Sequence, residues 1–296
     1  MKELLELRVN YKYAHLLFKE DEGVNLGNPV RGYTIKVVKI DTSSSLFAEV
    51  EKISKSVYEK YGECFFYGWE YQRKYSSKEL HDAPLFKMTV RKYFEPSGEE
   101  CGTEYDDNCA CKLCGSGRKQ ISPLRIHKGR FLNKRDVATT LADEIVVSKR
   151  FVEVIRENDI KGISFSPVFF GKQESEDCFQ LMVEGNRLKV DERTKFGGEP
   201  FEVVQDEENT QYISPCPNGD HLGLNLLSEV YVKYSPIINQ YDFFISQQTF
   251  GVKNDGGPNR PLLRPHHILF CSPKLYRTIQ ENHLRGFNFE VAHIVD

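Results

Sequence analysis

Two cysteines followed by a glycine form the short motif in this chain with the best-defined chemistry. Cys111, Cys114 and Gly115 stand in the pattern CxxCG. Two thiolates at this spacing can face one metal ion, and the glycine permits a tight turn that points backbone N–H groups at the sulfur atoms, a geometry typical of tetrahedral zinc. A structural zinc ion has four protein ligands, so the motif predicts a site that a second pair of side chains completes.

Cys216 and His221 are the best candidates for that second pair. They lie in SPCPNGDHLG, where proline and glycine again favour a tight loop that lets both side chains converge. We therefore predict a zinc ion bound by Cys111, Cys114, Cys216 and His221. Because four protein ligands leave no position for an activated water, this zinc would support folding, not catalysis, and would join distant parts of the chain.

Three alternatives to this ligand set stay open. Cys101 or Cys109 could replace a distal ligand and give a local cysteine cluster. The CxxC pair could instead be a redox pair, although that interpretation needs a thioredoxin-like βαβ context. The proximity of Cys216 and His221 in the sequence could also be a coincidence.

The elements that would position these ligands include an internal repeat. Residues 145–165 and 269–289, related by an offset of 124, share six of 21 positions without a gap, among them Ser148/Ser272 and Gly162/Gly286. We interpret them as copies of one unit: a short apolar strand, a helix capped by the serine, a glycine turn and a second strand. A weaker correspondence relates Asp136-Val137 to Asp242-Phe243.

Residues 1–100 have no similarity to the repeat and predict an α/β region. An apolar stripe at helical spacing begins after Ser45 and stops at Gly62. Strand-like runs cover 33–40, 64–71 and 86–94, and further strands are predicted at 229–234 and 242–246.

The predicted fold class is α+β, with two pseudo-repeated strand-helix-strand halves joined by a structural zinc site and preceded by the N-terminal α/β region. We predict this region at residues 1–100, the zinc knuckle with the first repeat unit at 101–168, an insertion at 169–211, and the second metal half-site with the second repeat unit at 212–296. The insertion is rich in charge and glycine, although 179–190 could form a hairpin turning at Gly185-Asn186.

Two charged segments of opposite sign precede the first repeat unit. Residues 95–107 hold six acidic and no basic side chains, which indicates either a solvated loop or a contact surface for a basic partner. The second segment is basic and contains one aromatic residue, Phe131, too few for a base-stacking platform. Its basic residues are Arg125, His127, Lys128, Arg130, Lys134 and Arg135.

The chain contains no complete catalytic signature. HExxH, GxSxG and a complete phosphate loop are absent. Glu290 and His293 would diverge on a strand, so they do not predict a metal pair. The stretch with Arg264, His266 and His267 could meet an anion or a partner, or could be an exposed loop leading into a strand. The sequence thus favours a protein without catalytic activity.

The bulk composition bounds the class of protein. With 40% hydrophobic residues and a net charge of −3, the chain has a globular composition that argues against nucleic-acid binding through net charge. The charged first residues are unlike a signal peptide, and no apolar run approaches the roughly 18 residues that span a bilayer. The eight cysteines suit a metal site in a reducing compartment, with Cys64, Cys178 and Cys271 as small core residues. We expect a cytoplasmic protein without a membrane partner.

The order of several motifs resembles a known family. The segments GEECGTEYDDNCACKLCGSGRKQ, CPNGDHLGLNLLSEVYV and LLRPHHILFCSPKLYR, within residues 75–296, resemble bacterial proteins of the double-CxxCG-motif family. Some members of that family look like immunity proteins encoded beside polymorphic or contact-dependent toxins. In this chain Cys216 to His221 replaces the second CxxCG, and the family implies no catalytic residues.

The resemblance implies a zinc-stabilised protein-binding module that neutralises a cognate bacterial toxin by direct binding. Such a protein needs a rigid surface complementary to the toxin, and no catalytic groups of its own. Two other classes stay open. One is a zinc-ribbon protein that binds nucleic acid through 125–135; the other is a hydrolytic enzyme whose site includes Arg264, His266, His267 or Glu290.

Overall fold

The structure, a computed structural model, describes residues 1–17, 35–112, 115–128, 134–183, 185–197, 200–201, 221–222, 225–251, 254–255, 262–263 and 265–296. The chain divides into two compact units, Met1–His81 and Asp82–Asp296. The architecture is mixed α+β, as the sequence predicts.

The first unit contains a three-stranded antiparallel sheet. Its strands are β1 (Lys2–Asn10), β2 (Ile35–Asp41) and β3 (Phe66–Lys74), in the order β2-β1-β3. Leu5, Leu7 and Val9 alternate along β1 and are fully buried. This period of two places one face of the sheet on the core and leaves the charged residues between them on the other face.

A long helix, α1 (Ser45–Tyr61), confirms the helix predicted from the apolar stripe. Val50 and Val57 are its buried residues. Gly62 ends the helix at φ 66°, where its N–H donates to the carbonyl oxygen of Tyr58 at 2.8 Å. Glycine adopts this left-handed conformation without the steric cost of a Cβ atom. A short helix, α2 (Ser77–Asp82), follows β3.

The described part of the second unit holds two larger sheets and two α-helices. In chain order its elements are β4 (Leu85–Val90), β5 (Tyr105–Asp106), β6 (Lys119–Gln120), β7 (Leu124–Arg125), β8 (Val137–Thr139), β9 (Ile145–Ser148), α3 (Lys149–Glu157), β10 (Ile163–Phe170), β11 (Gln173–Val183), β12 (Arg187–Leu188), β13 (Phe196–Gly197), β14 (His221–Leu222), β15 (Asn225–Leu226), β16 (Val230–Lys233), β17 (Phe243–Gly251), β18 (Asn254–Asp255), β19 (Leu262–Leu263), β20 (His266–Cys271), α4 (Pro273–Glu281) and β21 (Phe287–Val295).

The strands β4, β20 and β21 form the centre of a seven-stranded sheet. Its order is β12-β17-β20-β4-β21-β16, with β14 also paired to β17. Leu85 and Phe86 of β4 are fully buried. The strand predicted over 86–94 therefore exists as β4 and belongs to the compact unit that starts at Asp82. The division of this unit at residues 101, 169 and 212 stays a prediction.

The second sheet is five-stranded, in the order β7-β10-β11-β9-β8. One face packs a cluster of buried side chains that includes Phe94, Leu124, Val146 and Val168. The strand β11 lies between β10 and β9 and is antiparallel to both. The hairpin predicted over 179–190 is wrong, because β12 instead pairs in parallel with β17.

The helices α3 and α4 occupy equivalent positions in chain order, β9-α3-β10 and β20-α4-β21. The Ser148 side chain accepts a hydrogen bond from the Phe151 N–H and the Ser272 side chain one from the Leu275 N–H, both at 3.1 Å. These contacts confirm the predicted caps, which satisfy N–H groups that a helix start leaves free.

A chain of aromatic contacts connects the two helices with both sheets. Phe151 of α3 contacts Phe165 of β10 and Phe287 of β21, with ring centroids 6.3 and 5.8 Å apart. Tyr276 of α4 stacks on Phe86 of β4 at 4.1 Å. Large rings in contact bury much apolar area, so these residues form a major part of the core of the second unit.

Two aspartates link each helix cap to the glycine turn of the other segment. Asp136 accepts from the Ser148 hydroxyl at 3.0 Å and from the backbone N–H of Arg285 at 2.8 Å. Asp242 accepts from the Ser272 hydroxyl at 2.7 Å and from the backbone N–H of Lys161 at 3.0 Å. Asp136 thus fixes the cap of α3 and the turn that follows α4. Asp242 fixes the cap of α4 and the turn that follows α3.

Candidate functional site

Backbone hydrogen bonds join the described residues of the CxxCG segment to one another and to Ser116. The Cys111 N–H donates to the Ser116 carbonyl oxygen and the Gly115 N–H to the Cys111 carbonyl oxygen, both at 2.7 Å. Gly115 has φ 76° and Gly117 has φ 79°. Because both glycines occupy the left-handed region, this backbone conformation depends on residues without a Cβ atom. The predicted direction of the N–H groups toward the sulfur atoms involves Cys114, lies outside the described residues and stays a prediction.

The predicted zinc ligands lie partly outside the described residues. Cys111 is described and half-buried, whereas Cys114 and Cys216 are outside. The backbone of His221 belongs to β14 and pairs with Phe250 of β17, but its side chain is outside the described part. The set Cys111, Cys114, Cys216 and His221 therefore stays a prediction. The described residues contain no group of three or more His, Cys, Asp or Glu side chains that could hold a metal ion.

The two alternative ligands lie in different surroundings. Cys109 is exposed, with its Sγ 4.0 Å from Asp106 Oδ2. Cys101 is half-buried at the end of a 3-10 helix, Gly98–Cys101. Burial, with the charges of Glu100 and Glu95, raises the pKa of the Cys101 thiol. Without a nearby cation, Cys101 therefore favours the protonated thiol over the thiolate, which is the form that binds zinc.

The three cysteines predicted for the core do not behave alike. Cys178 and Cys271 are buried, as predicted. Burial raises the pKa of Cys178 to about 11 and also raises that of Cys271. These two thiols stay protonated and act as small apolar residues. Cys64 is exposed, so the prediction for this residue is wrong.

The acidic segment 95–107 has a well-defined backbone. The Thr103 N–H donates to the Gly98 carbonyl oxygen at 3.0 Å, and the Glu104 N–H donates to the Ser122 hydroxyl at 2.8 Å. The side chain of Glu95 accepts from the Leu141 N–H at 3.0 Å. The backbone contacts fix where the remaining carboxylates of the segment are placed.

One arginine neutralises part of this segment. Arg118 forms ion pairs with Glu99 and with Asp107, the latter at 2.8 Å, and its guanidinium carbon lies 3.8 Å from the centre of the Tyr105 ring. Glu100 and Glu104 are exposed and have no ion-pair partner among the described residues. The segment therefore presents an excess of negative charge to solvent.

A carboxylate pair lies beside the acidic segment in the turn between β8 and β9. Glu144 accepts hydrogen bonds from the Tyr105 and Thr140 hydroxyls. Burial first, and the neighbouring Glu144 second, raise the pKa of Asp143 to about 8, although a hydrogen bond from the His267 backbone N–H opposes the shift. Two adjacent acids cannot both ionise without cost, so a proton remains on Asp143 near neutral pH.

The basic segment packs against aromatic residues of β10. The guanidinium carbon of Arg125 lies 5.8 Å from the Phe169 ring centre, and Lys128 Nζ lies 5.9 Å from that of Phe170. Arg130 lies outside the described residues. Each of these two cations thus lies over one face of an aromatic ring.

The residues considered for an enzyme site do not converge among the described side chains. His267 Nε2 lies 3.4 Å from Arg187 Nη1, and Arg264 is outside the described part. Glu290 binds Lys87 at 3.0 Å, whereas His293 binds Glu229 at 2.8 Å. Glu290 and His293 thus diverge along β21, as the strand period predicts.

A cavity of about 400 Å³ opens beside the start of α4, and sequence reasoning missed it. Three cations line it, Lys161, Lys274 and Arg277, together with Ile238, Tyr241 and Asp242. In the sequence these cations fall at ordinary polar positions of the repeat. Two backbone hydrogen bonds bring them together: the Asp242 N–H donates to the Lys161 carbonyl oxygen, and the Ser272 N–H, just before α4, donates to the Asp242 carbonyl oxygen.

Comparisons with known proteins do not place the chain in a family. No protein-family model matches it, and a search of curated proteins found no match. In the described part of the chain, every helix is too short or too polar to cross a bilayer.

Proposed function

We propose that this chain is a cytoplasmic protein-binding module that neutralises a cognate bacterial toxin by direct binding. The observation that carries the proposal is the ordered acidic segment 95–107, in which Glu100 and Glu104 face solvent without an ion-pair partner among the described residues. Exposed acidic groups steer a basic partner and raise its association rate. The resemblance to immunity proteins points to a toxin as that partner.

The fixed backbone of the segment supports a binding role. Glu104 lies between two hydrogen bonds, because its N–H donates to Ser122 Oγ at 2.8 Å and its carbonyl oxygen accepts from the Ile121 N–H at 3.0 Å. A surface that is ordered before binding loses little conformational entropy in the complex. Immunity needs only such a surface, since covering the active site of a toxin is sufficient.

The proposal includes two pseudo-repeated halves joined by structural zinc. The equivalent caps at Ser148 and Ser272 and the reciprocal hydrogen bonds of Asp136 and Asp242 support an internal duplication. The backbone hydrogen bonds of Cys111 to Gly115 and Ser116 support zinc binding by Cys111, Cys114, Cys216 and His221. In this arrangement zinc stabilises the fold and leaves the surface to bind the partner.

The test of this function combines growth and binding measurements. Cells that express the product of the neighbouring gene should stop growing without this chain and survive with it. Calorimetry with a catalytically inactive form of that product should give a complex that weakens about tenfold or more when Glu100→Lys and Glu104→Lys are combined. The control combines Glu49→Lys and Glu59→Lys, two exposed residues of α1 that change the net charge equally.

The outcomes separate the proposed class from the others. Equal weakening by both pairs of variants would show a general effect of net charge and remove the acidic segment as the contact. Binding of DNA or RNA with a steep salt dependence, in place of a protein partner, would favour the nucleic-acid class.

A further inference from the structure

We propose that the cavity beside α4 binds a small organic phosphate. It is formed within the second unit by the turn before β10, the segment that leads into β17, and the first turns of α4. Its volume of about 400 Å³ lies within the range typical of small-molecule sites and exceeds the space that inorganic phosphate alone fills. The site is independent of the acidic segment and of the proposed zinc ligands.

The charge of the lining selects an anion. Lys161, Lys274 and Arg277 supply three positive charges, and Asp242 is the one carboxylate among the lining residues. Lys161 Nζ lies 3.6 Å from Asp159 Oδ2 and Lys274 Nζ lies 3.9 Å from Asp242 Oδ2, so these two charges are partly balanced and that of Arg277 is not, among the described residues. The oxygens of Asp242 are already engaged, accepting from Ser272 Oγ at 2.7 Å and from the Lys161 N–H at 3.0 Å. This chain has a net charge of −3, so the cluster opposes the overall sign of the protein.

Arg277 is the residue best suited to hold the anion. It is exposed and has no hydrogen-bond or ion-pair partner among the described residues. The guanidinium group can donate two parallel hydrogen bonds to phosphate oxygens, which a lysine ammonium cannot do. Lys274 is partly committed, because its Nζ donates to the Asp159 carbonyl oxygen at 2.7 Å.

The site does not depend on the helix start as an anion site. The Leu275 N–H is bound by the Ser272 hydroxyl, and the Tyr276 N–H by the Ser272 carbonyl oxygen at 3.0 Å. Pro273 has no N–H. Charged side chains, and not helix N–H groups, therefore supply most of the recognition.

Two apolar lining residues suit the organic part of the ligand. Ile238 and Tyr241 are half-buried and pack against the core cluster beneath the seven-stranded sheet. A sugar or base can cover their exposed surface while the phosphate meets the cations. This apolar surface should favour an organic phosphate over inorganic phosphate.

Calorimetry at low salt with AMP, ribose 5-phosphate and inorganic phosphate tests the site. AMP or ribose 5-phosphate should bind with a Kd below about 1 mM and at least about tenfold more tightly than inorganic phosphate. Arg277→Gln and Lys274→Gln should each weaken that binding about tenfold or more. Thermal unfolding of Arg277→Gln should match that of the unmodified chain, because this side chain has no partner in the described residues.

Arg150→Gln is the matched control. Arg150 binds the Asn282 carbonyl oxygen and lies 3.7 Å from Asp136, contacts like those of Lys274, yet it is not a lining residue of the cavity. Its replacement should leave ligand affinity unchanged. Binding that is equally tight for inorganic phosphate, that survives Arg277→Gln, or that is absent for both organic phosphates would overturn the proposal.

Discussion

Single residues decide how the second unit responds to pH, and Asp143 is the main example. Its pKa of about 8 arises from burial and from the adjacent Glu144. The carboxyl group therefore holds its proton more tightly in the folded chain than in the unfolded chain, where its pKa is about 4. This contribution to stability is complete below pH 4 and is lost progressively as the pH rises through 8.

The substitution Asp143→Asn should remove this loss of folding stability at high pH. Asparagine keeps a neutral acceptor for the His267 N–H and tolerates the positive φ of 77°. We expect the variant to be more stable by about 2 kcal/mol at pH 8.5, a value below the full electrostatic cost because the group retains some contact with water. Denaturant unfolding at pH 5 and pH 8.5 measures the difference.

Asp159→Asn is the control, since Asp159 also has a positive φ, of 48°, but its side chain is 81% exposed. If Asp143→Asn changed the free energy of unfolding equally at pH 5 and at pH 8.5, the raised pKa of Asp143 would be contradicted.

The zinc ligands give a second prediction for individual side chains. Elemental analysis of the purified chain should find one zinc per molecule. Cys111→Ser and Cys216→Ser should each abolish zinc binding and lower the midpoint of thermal unfolding, because the bound metal contributes folding free energy. Cys109→Ser should retain zinc. Loss of zinc from Cys109→Ser, with retention in Cys216→Ser, would establish the alternative local cysteine cluster.

At the scale of the elements, sequence patterns predicted helices better than strand partners. The apolar stripe that ends at Gly62 predicted α1, and the serine caps and glycine turns predicted α3 and α4. These signals are local in the sequence, so they can be read without knowing the tertiary contacts. Of the strand β11, the sequence indicated only the end, as one arm of the hairpin over 179–190. Its buried residues include Ser175 and Cys178, which bond to each other at 3.0 Å, so the segment lacks an apolar alternation. The cationic cavity was missed because its lining comes from segments far apart in the sequence.

The glycine turns after α3 and α4 give a prediction at the same scale. At Gly162, φ is 96°, and a Cβ atom would lie 2.9 Å from the carbonyl oxygen of Phe243. Gly162→Ala should therefore destabilise the fold by roughly 3 kcal/mol, through backbone strain together with a close contact. Urea unfolding provides the measurement.

Gly171→Ala is the matched control for this turn. Gly171 also has a positive φ, of 63°, but a Cβ atom there would meet nothing within 4 Å. Only the backbone cost, about 1 kcal/mol, should remain. Equal effects at the two positions would mean that the approach of β17 to the Gly162 turn does not constrain it.

For the whole molecule, the position of β4 predicts which fragments fold. Residues 82–296 keep β4 and should give a soluble fragment with cooperative thermal unfolding. Residues 101–296 lack β4, so β20 and β21 lose the strand between them and expose unpaired backbone groups. We expect this shorter fragment to aggregate, which circular dichroism and gel filtration would detect. A folded 101–296 fragment would instead support a domain boundary near residue 100.

The reciprocal bonds of Asp136 and Asp242 also bear on how the second unit opens. The amide of Arg285 is held by Asp136 and that of Lys161 by Asp242, so neither turn can be released while the opposite cap stays intact. The two amides should then exchange with deuterated water through one shared opening event and at comparable rates. A chain cut between the segments should regain this protection only when both pieces associate, as in split-protein complementation.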